Sequence, residues 1–201
     1  AILTLTYISY YSTDSVANQA VPYDFIMYED TGFEMVGEFD KEGIQYTRYD
    51  IDILAVPSDV RTLLIKKAAL DKTLSTELGV QVVSLKAIQK KLPNLQLQEE
   101  EGYIIGYDSL SAENIRIEGQ KPIQFNTSTG KDEIFIKEVI EDRLIPDYHY
   151  FGFFTVVVSD TYFQKLLNDP LTKNQKIVGM DLKEENQLIK AQEVFEANKV
   201  S

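Results

Sequence analysis

One pattern restricts the fold more than any other, and it occurs twice, once near each end of the chain: a β-rich run, an amphipathic run, then a second β-rich run. Near the start, Val21-Pro-Tyr-Asp-Phe-Ile-Met-Tyr28 places Tyr23, Phe25 and Met27 on one face and Asp24, Ile26 and Tyr28 on the other, the alternation of a strand that begins after a proline. Phe33, Val36 and Phe39 then recur at helical spacing. The helix they predict is short and acidic and ends at Gly43, a residue suited to the C′ position. Ile44 to Val56 is rich in β-branched and aromatic residues and closes at Pro57.

The second copy is more apolar. Phe151-Gly-Phe-Phe-Thr-Val-Val-Val158 is nearly continuous in hydrophobic residues, as expected of a strand covered on both faces. Ser159 or Asp160 can cap a helix carrying Tyr162, Phe163, Leu166 and Leu167, which stops before Pro170. Gln175 to Leu182 reads as a strand, and from about Lys183 a polar helix with Leu188, Ile189, Val194 and Phe195 follows. Two such units predict an α+β chain in which they join as one four-stranded sheet with helices on one face, the ferredoxin-like arrangement. Residues 1–56 and 151–201 would then form a discontinuous base domain, with 57–150 inserted as a mainly antiparallel β lobe.

Inside the insert, Val60, Leu63, Leu64, Ala68, Leu70, Leu74 and Leu78 predict a helix ending near Gly79. Val80 to Val83 reads as a short strand and Ser84 as the cap of a helix from Leu85 to Leu92. Leu95 with Leu97, then residues 103–107, 114–118, 122–125 and 133–140, read as short strands broken by Gly102, Gly119 and Gly130. This spacing predicts an antiparallel sheet or small barrel.

Composition removes whole classes of chemistry. Thirty-two acidic against 20 basic residues give a net charge of −12, a field that repels nucleic acid and anionic lipid and gathers cationic partners. With no Cys, thiol nucleophiles, disulfides and Cys-based metal sites are absent, and one His, His149, cannot make a two-His metal site. Phosphate-cradling glycine loops are missing too, since Gly130-Lys131 lacks the upstream glycine of a P-loop. No cofactor, metal site or catalytic residue is nominated, although a hydrolase working through paired carboxylates or His149 stays open.

Two segments remain as candidate partner contacts. Glu99, Glu100 and Glu101 precede a strand and would attract a cation or a basic peptide, or simply form a charged turn. Asp147-Tyr-His-Tyr-Phe-Gly-Phe-Phe154 is the densest aromatic stretch, and Tyr148, His149, Tyr150 and Phe151 within it offer contact area or core filling. Asp50 and Asp52 share a strand face, but no calcium-loop glycine follows, which favours solvated strand carboxylates. Asn126-Thr-Ser128 fits the glycosylation acceptor pattern and is set aside. No run approaches the ~20 apolar residues of a membrane span, which predicts a water-soluble polypeptide. The apolar start, Ala1 to Ile8 followed by Tyr10 and Tyr11, fits either a buried element or the water-side end of a membrane helix.

Four segments in order carry a family resemblance: Val83-Ser-Leu-Lys-Ala-Ile-Gln-Lys-Lys-Leu92, Leu95-Gln-Leu-Gln-Glu-Glu-Glu-Gly-Tyr-Ile-Ile105, Ile134-Phe-Ile-Lys-Glu-Val-Ile140, and Thr155-Val-Val-Val-Ser-Asp-Thr-Tyr-Phe163. Together with Tyr23-Asp24-Phe25, they resemble the large extracellular domain of FtsX-like ABC transporter permeases, most of all the Bce type of Gram-positive bacteria. The resemblance spans about residues 20–182 and is weakest over 57–78. It implies a non-catalytic sensor and substrate-contact domain at the outer face of the cell membrane, serving antimicrobial peptide resistance. Its implied partners are the transmembrane helices of the same permease, a separate cytoplasmic ATPase subunit, a sensor histidine kinase, and a cationic peptide antibiotic or its lipid complex. No functional residue is carried over, because the motifs are structural. The alternative is a free secreted binding or adhesion module.

Overall fold

The computed structural model describes residues 23–60, 63–65, 80–90, 92–106, 115–117, 122–141 and 155–198. In chain order the elements are β1 (Phe25–Tyr28), α1 (Glu29–Lys41), β2 (Tyr46–Val56), β3 (Ser58–Asp59), β4 (Leu63–Ile65), β5 (Val80–Ser84) and α2 (Leu85–Gln89). They continue with β6 (Glu101–Gly106), β7 (Ile115–Ile117), β8 (Ile123–Thr127), β9 (Gly130–Glu141), β10 (Thr155–Val158), α3 (Asp160–Leu167), β11 (Lys173–Leu182), a 3-10 turn (Glu185–Gln187) and α4 (Leu188–Asn198). The chain divides into unit 1, residues 1–52 with 176–201, and unit 2, residues 53–175.

In unit 1 the strands lie in the order β1-β11-β2, with β1 antiparallel to β11 so that Phe25 faces Met180 and Tyr28 faces Ile177. Phe25 and Met27 of β1 join Val178 and Met180 of β11 against Met35 and Phe39 of α1 and Ala191 and Phe195 of α4. One sheet face is therefore roofed by two helices. Phe25 meets Phe39 edge-on and lies beside Phe195, each at 5.5 Å between ring centres. Gly43 adopts φ 68°, and the Gly43 N–H donates to Asp40 O (3.2 Å) and the Ile44 N–H to Phe39 O (3.0 Å). These two bonds make a Schellman stop, with Ile44 and Phe39 packed in the same core.

In unit 2 the order is the end of β2, then β5-β10-β6-β9-β8-β3, with β4 and β7 as a separate antiparallel pair. β5 with β10 and β6 with β9 are parallel, while β2–β5, β10–β6, β8–β9 and β3–β8 are antiparallel. Val156, Val157 and Val158 are fully buried, which matches a strand with neighbours on both sides and cover on both faces. Val156 and Val158 share one core with Ile104, Phe125, Ile134, Tyr162 and Leu166, so α3 lies over that sheet face.

The structure is thus α+β with mostly antiparallel pairing, and several details depart from the sequence reading. β10 takes its ladder partners from β5 and β6, so unit 1 holds three strands among the described residues, and one parallel pair, β6 with β9, occurs within the lobe expected to be mainly antiparallel. Residues 58–59 and 63–65 are strands, not the start of a helix, because Ser58 pairs with Phe125 and Leu63 with Ile117. Leu95 and Leu97 lie outside any strand, in a segment where Tyr103 Oη donates to Gln96 O (3.1 Å) and Gln89 to Leu95 O (3.3 Å). Ser84 precedes α2 as expected but its side chain makes no capping bond. Asp160 Oδ1 accepts from the Lys86 N–H instead, at 3.0 Å.

Candidate functional site

The acidic turn singled out in the sequence leads directly into β6. Glu99 and Glu100 are exposed, and Glu101, half-buried, is the first β6 residue. Glu101 Oε1 accepts from the Gln98 N–H (2.8 Å), a local bond that closes the turn, and its Oε2 lies 4.0 Å from Lys137 Nζ. The Phe135 N–H donates to Glu100 O at 2.8 Å, which fastens the turn to β9.

Across β9 the turn meets α3. Glu99, Glu100, Asp132, Glu133, Ile134, Tyr162 and Lys165 line a depression of about 240 Å³. Small-molecule pockets run to roughly 300–1,000 Å³, so this one suits a single side chain. Ser159 starts α3 by accepting from the Tyr162 N–H (3.2 Å), which turns Tyr162 inward from the first turn of the helix. Its ring stacks on Phe125, and its hydroxyl donates to Asp132 Oδ2 (2.9 Å), which also receives Lys165 Nζ (3.0 Å). Lys165 sits 5.7 Å over the Tyr162 ring. Burial first, then the bond to Asp132 and the charges of Asp132, Asp169 and Glu99, push the Tyr162 phenol far above its usual value. The phenol therefore stays a neutral donor, and Lys165 is committed to Asp132.

Glu99, Glu100 and Glu133 supply the remaining negative charge of this depression. The arrangement can receive a cationic group. Among the described residues no group of three or more His, Asp and Glu could hold a metal ion. Tyr148, His149, Tyr150 and Phe151 lie outside the described residues. As site residues Asp132, Glu133, Tyr162 and Lys165 escaped the sequence reading, because they come together from β9 and α3 only through packing. Asn126 Oδ1 is buried without a partner, and its neighbour Ser128 is tied to Asp169, with the Ser128 N–H and Oγ at 2.9 and 2.8 Å from Asp169 Oδ2.

Among the described residues no helix is long and apolar enough to cross a membrane. No protein-family model matches the sequence. The chain is 25% identical over 207 aligned residues to the bacitracin export permease protein BceB of Halalkalibacterium halodurans, an alignment that takes in 96% of this chain and 30% of that protein. The chain thus spans less than a third of the length of the permease it is similar to.

Proposed function

We propose that this chain is a non-catalytic, extracellular contact domain of an ABC transporter permease that handles peptide antibiotics. The observation that carries the reading is the similarity to a bacitracin export permease along 96% of the chain. The −12 charge and the acid-lined depression agree with a cationic peptide, or its lipid complex, as the ligand. In this reading unit 1, with two helices on one sheet face in the manner of a ferredoxin-like base, stands next to the membrane, and unit 2 is the inserted lobe. Glu99, Glu100 and Glu101 contribute to the contact surface, and so do Tyr148, His149, Tyr150 and Phe151. ATP hydrolysis belongs to a separate subunit, and a sensor histidine kinase is the signalling partner.

Calorimetric titration of the 201-residue chain with bacitracin and with a cationic peptide, at low and high salt, tests the reading. Binding that weakens as salt rises is expected for the cationic peptide. Absence of binding to both ligands at either salt concentration would sink it.

A further inference from the structure

β9 runs between β6 and β8, yet Phe135 near its middle is 44% exposed. Phe is among the residue types most often fully buried, so a ring this exposed on a strand face is uncommon. On β9 itself Lys131, Glu133 and Lys137 are mixed in sign, and Glu99, Glu100 and Glu101 of the neighbouring turn tip the balance to acidic. Glu101 stands opposite Phe135 in the parallel ladder, and Glu133 lies two residues back on the same face, opposite Gln124. Lys137, two residues onward, is already engaged: its ammonium lies 5.8 Å from the centre of the Tyr103 ring, 3.4 Å from Gln96 O and 4.0 Å from Glu101. The bond from the Phe135 N–H to Glu100 O holds the acidic turn beside the ring. The exposed ring is thereby bordered by Glu99, Glu100 and Glu133, for which no ion pair is found among the described residues.

We infer that the solvent side of β9 around Phe135 is the docking face for a cationic amphipathic peptide. The ring takes an apolar side chain of the ligand, and Glu133 with the Glu99–Glu100 turn takes its cations. Charge complementarity selects this occupant. An anionic peptide would meet Glu133, Glu100 and Glu99, and a purely polar cation would leave the ring uncovered. Glu99, Glu100 and Glu133 also line the depression beside Lys165. The inference rests on the contact-domain reading and adds to it the surface and the amphipathic character of the ligand.

Three probe peptides of equal length separate the contributions: alternating Lys and Leu, alternating Lys and Ser, and alternating Glu and Leu. The full chain is expected to bind the Lys–Leu peptide and to keep part of that affinity at high salt, since an apolar contact is not screened. The Lys–Ser peptide loses its binding as salt rises, and the Glu–Leu peptide does not bind. Phe135→Thr keeps a β-favouring residue on an exposed site, so the fold is retained. It is expected to weaken the Lys–Leu peptide about fivefold to tenfold and to leave the Lys–Ser peptide unchanged. Glu100→Gln with Glu133→Gln weakens both cationic peptides at low salt only. If folded Phe135→Thr protein binds the Lys–Leu peptide as the unaltered chain does, this inference is overturned while the contact-domain reading stands. If the unaltered chain binds neither cationic peptide, this inference falls, and the contact-domain reading falls with it only if bacitracin also fails to bind.

Discussion

Two glycines of α1 and the stop after it have opposite value. Gly43 holds φ 68° in the Schellman stop, where a Cβ would crowd the following carbonyl oxygen. Gly37 sits exposed inside the helix, and a Cβ built there meets nothing within 4 Å. Gly43→Ala is therefore expected to destabilise by about 1 kcal/mol, and Gly37→Ala to stabilise by about 0.5–1 kcal/mol. Urea unfolding should show the two midpoints moving in opposite directions. A third residue-scale feature is Tyr23, whose ring covers Gly179 so closely that a Cβ there would lie 2.8 Å from a ring carbon. Burial, then the charge of Asp181 and the neighbouring Tyr49, push its phenol up to about 12 from an ordinary 10.0. The raised value means the folded state favours the neutral phenol. That contribution is complete below pH 10.0 and is lost as pH rises through about 12. Stability measured across that interval should fall less steeply in Tyr23→Phe than in the unaltered chain.

At the scale of elements, chemical punctuation was readable and partnership was not. Gly43, Ser159 and Pro170 end or begin helices where their backbone chemistry demands it, and each was placed from the sequence. Leu63 and Leu64 fit helical spacing, but Ile117 and Arg116, far along the chain, supply them with strand partners, as Phe125 does for Ser58. Ile134-Phe-Ile136 hides its exposed face because all three residues are apolar, and only the ladder with β6 and β8 turns Phe135 outward. The acidic turn of the candidate site was legible as three consecutive glutamates; its completion by Asp132 and Lys165 needed the packing of α3 on the sheet. Ser84 is the instructive miss. Its type and place suit a cap, yet the Lys86 N–H is taken by Asp160 from the neighbouring helix start, since β5 and β10 run parallel and deliver both helices at one end. Ser84→Ala is expected to change stability by less than about 0.5 kcal/mol and Asp160→Ala to cost about 1 kcal/mol. Thermal unfolding of the two variants checks the order. Asp169 performs a similar tie between elements. The Leu171 N–H above all, opposed by desolvation and supported by the hydroxyl and N–H of Ser128 and the charge of Lys165, holds its carboxyl below the ordinary 3.8. A lowered value means this tie is present above pH 3.8 and is lost as pH falls through the folded value. Protection of the Ser128 and Leu171 amides, taken relative to the intrinsic exchange rate at each pH, should fall there, and in Asp169→Ala at neutral pH.

For the molecule as a whole, charge and contact surface are divided unequally. Unit 1 carries fifteen acidic against six basic residues, a net −9, and unit 2 seventeen against fourteen, a net −3. The long-range field that draws in a cation therefore originates mainly in unit 1, whereas the exposed ring of Phe135 belongs to unit 2. These act on different rate constants. Steering by net charge accelerates encounter and is screened over about 8 Å at physiological salt, while a short-range apolar contact slows departure. Replacing the exposed Glu34, Glu42 and Glu193 of unit 1 by Gln is expected to reduce the association rate of the Lys–Leu peptide severalfold at low salt and to leave its dissociation rate unchanged. Phe135→Thr should do the reverse, raising the dissociation rate at either salt concentration with association unaltered. Stopped-flow mixing resolves the two constants. Should the unit 1 variant associate as fast as the unaltered chain at low salt, the excess of carboxylates there would be a property of solubility alone, and recruitment would have to depend on the turn beside Phe135.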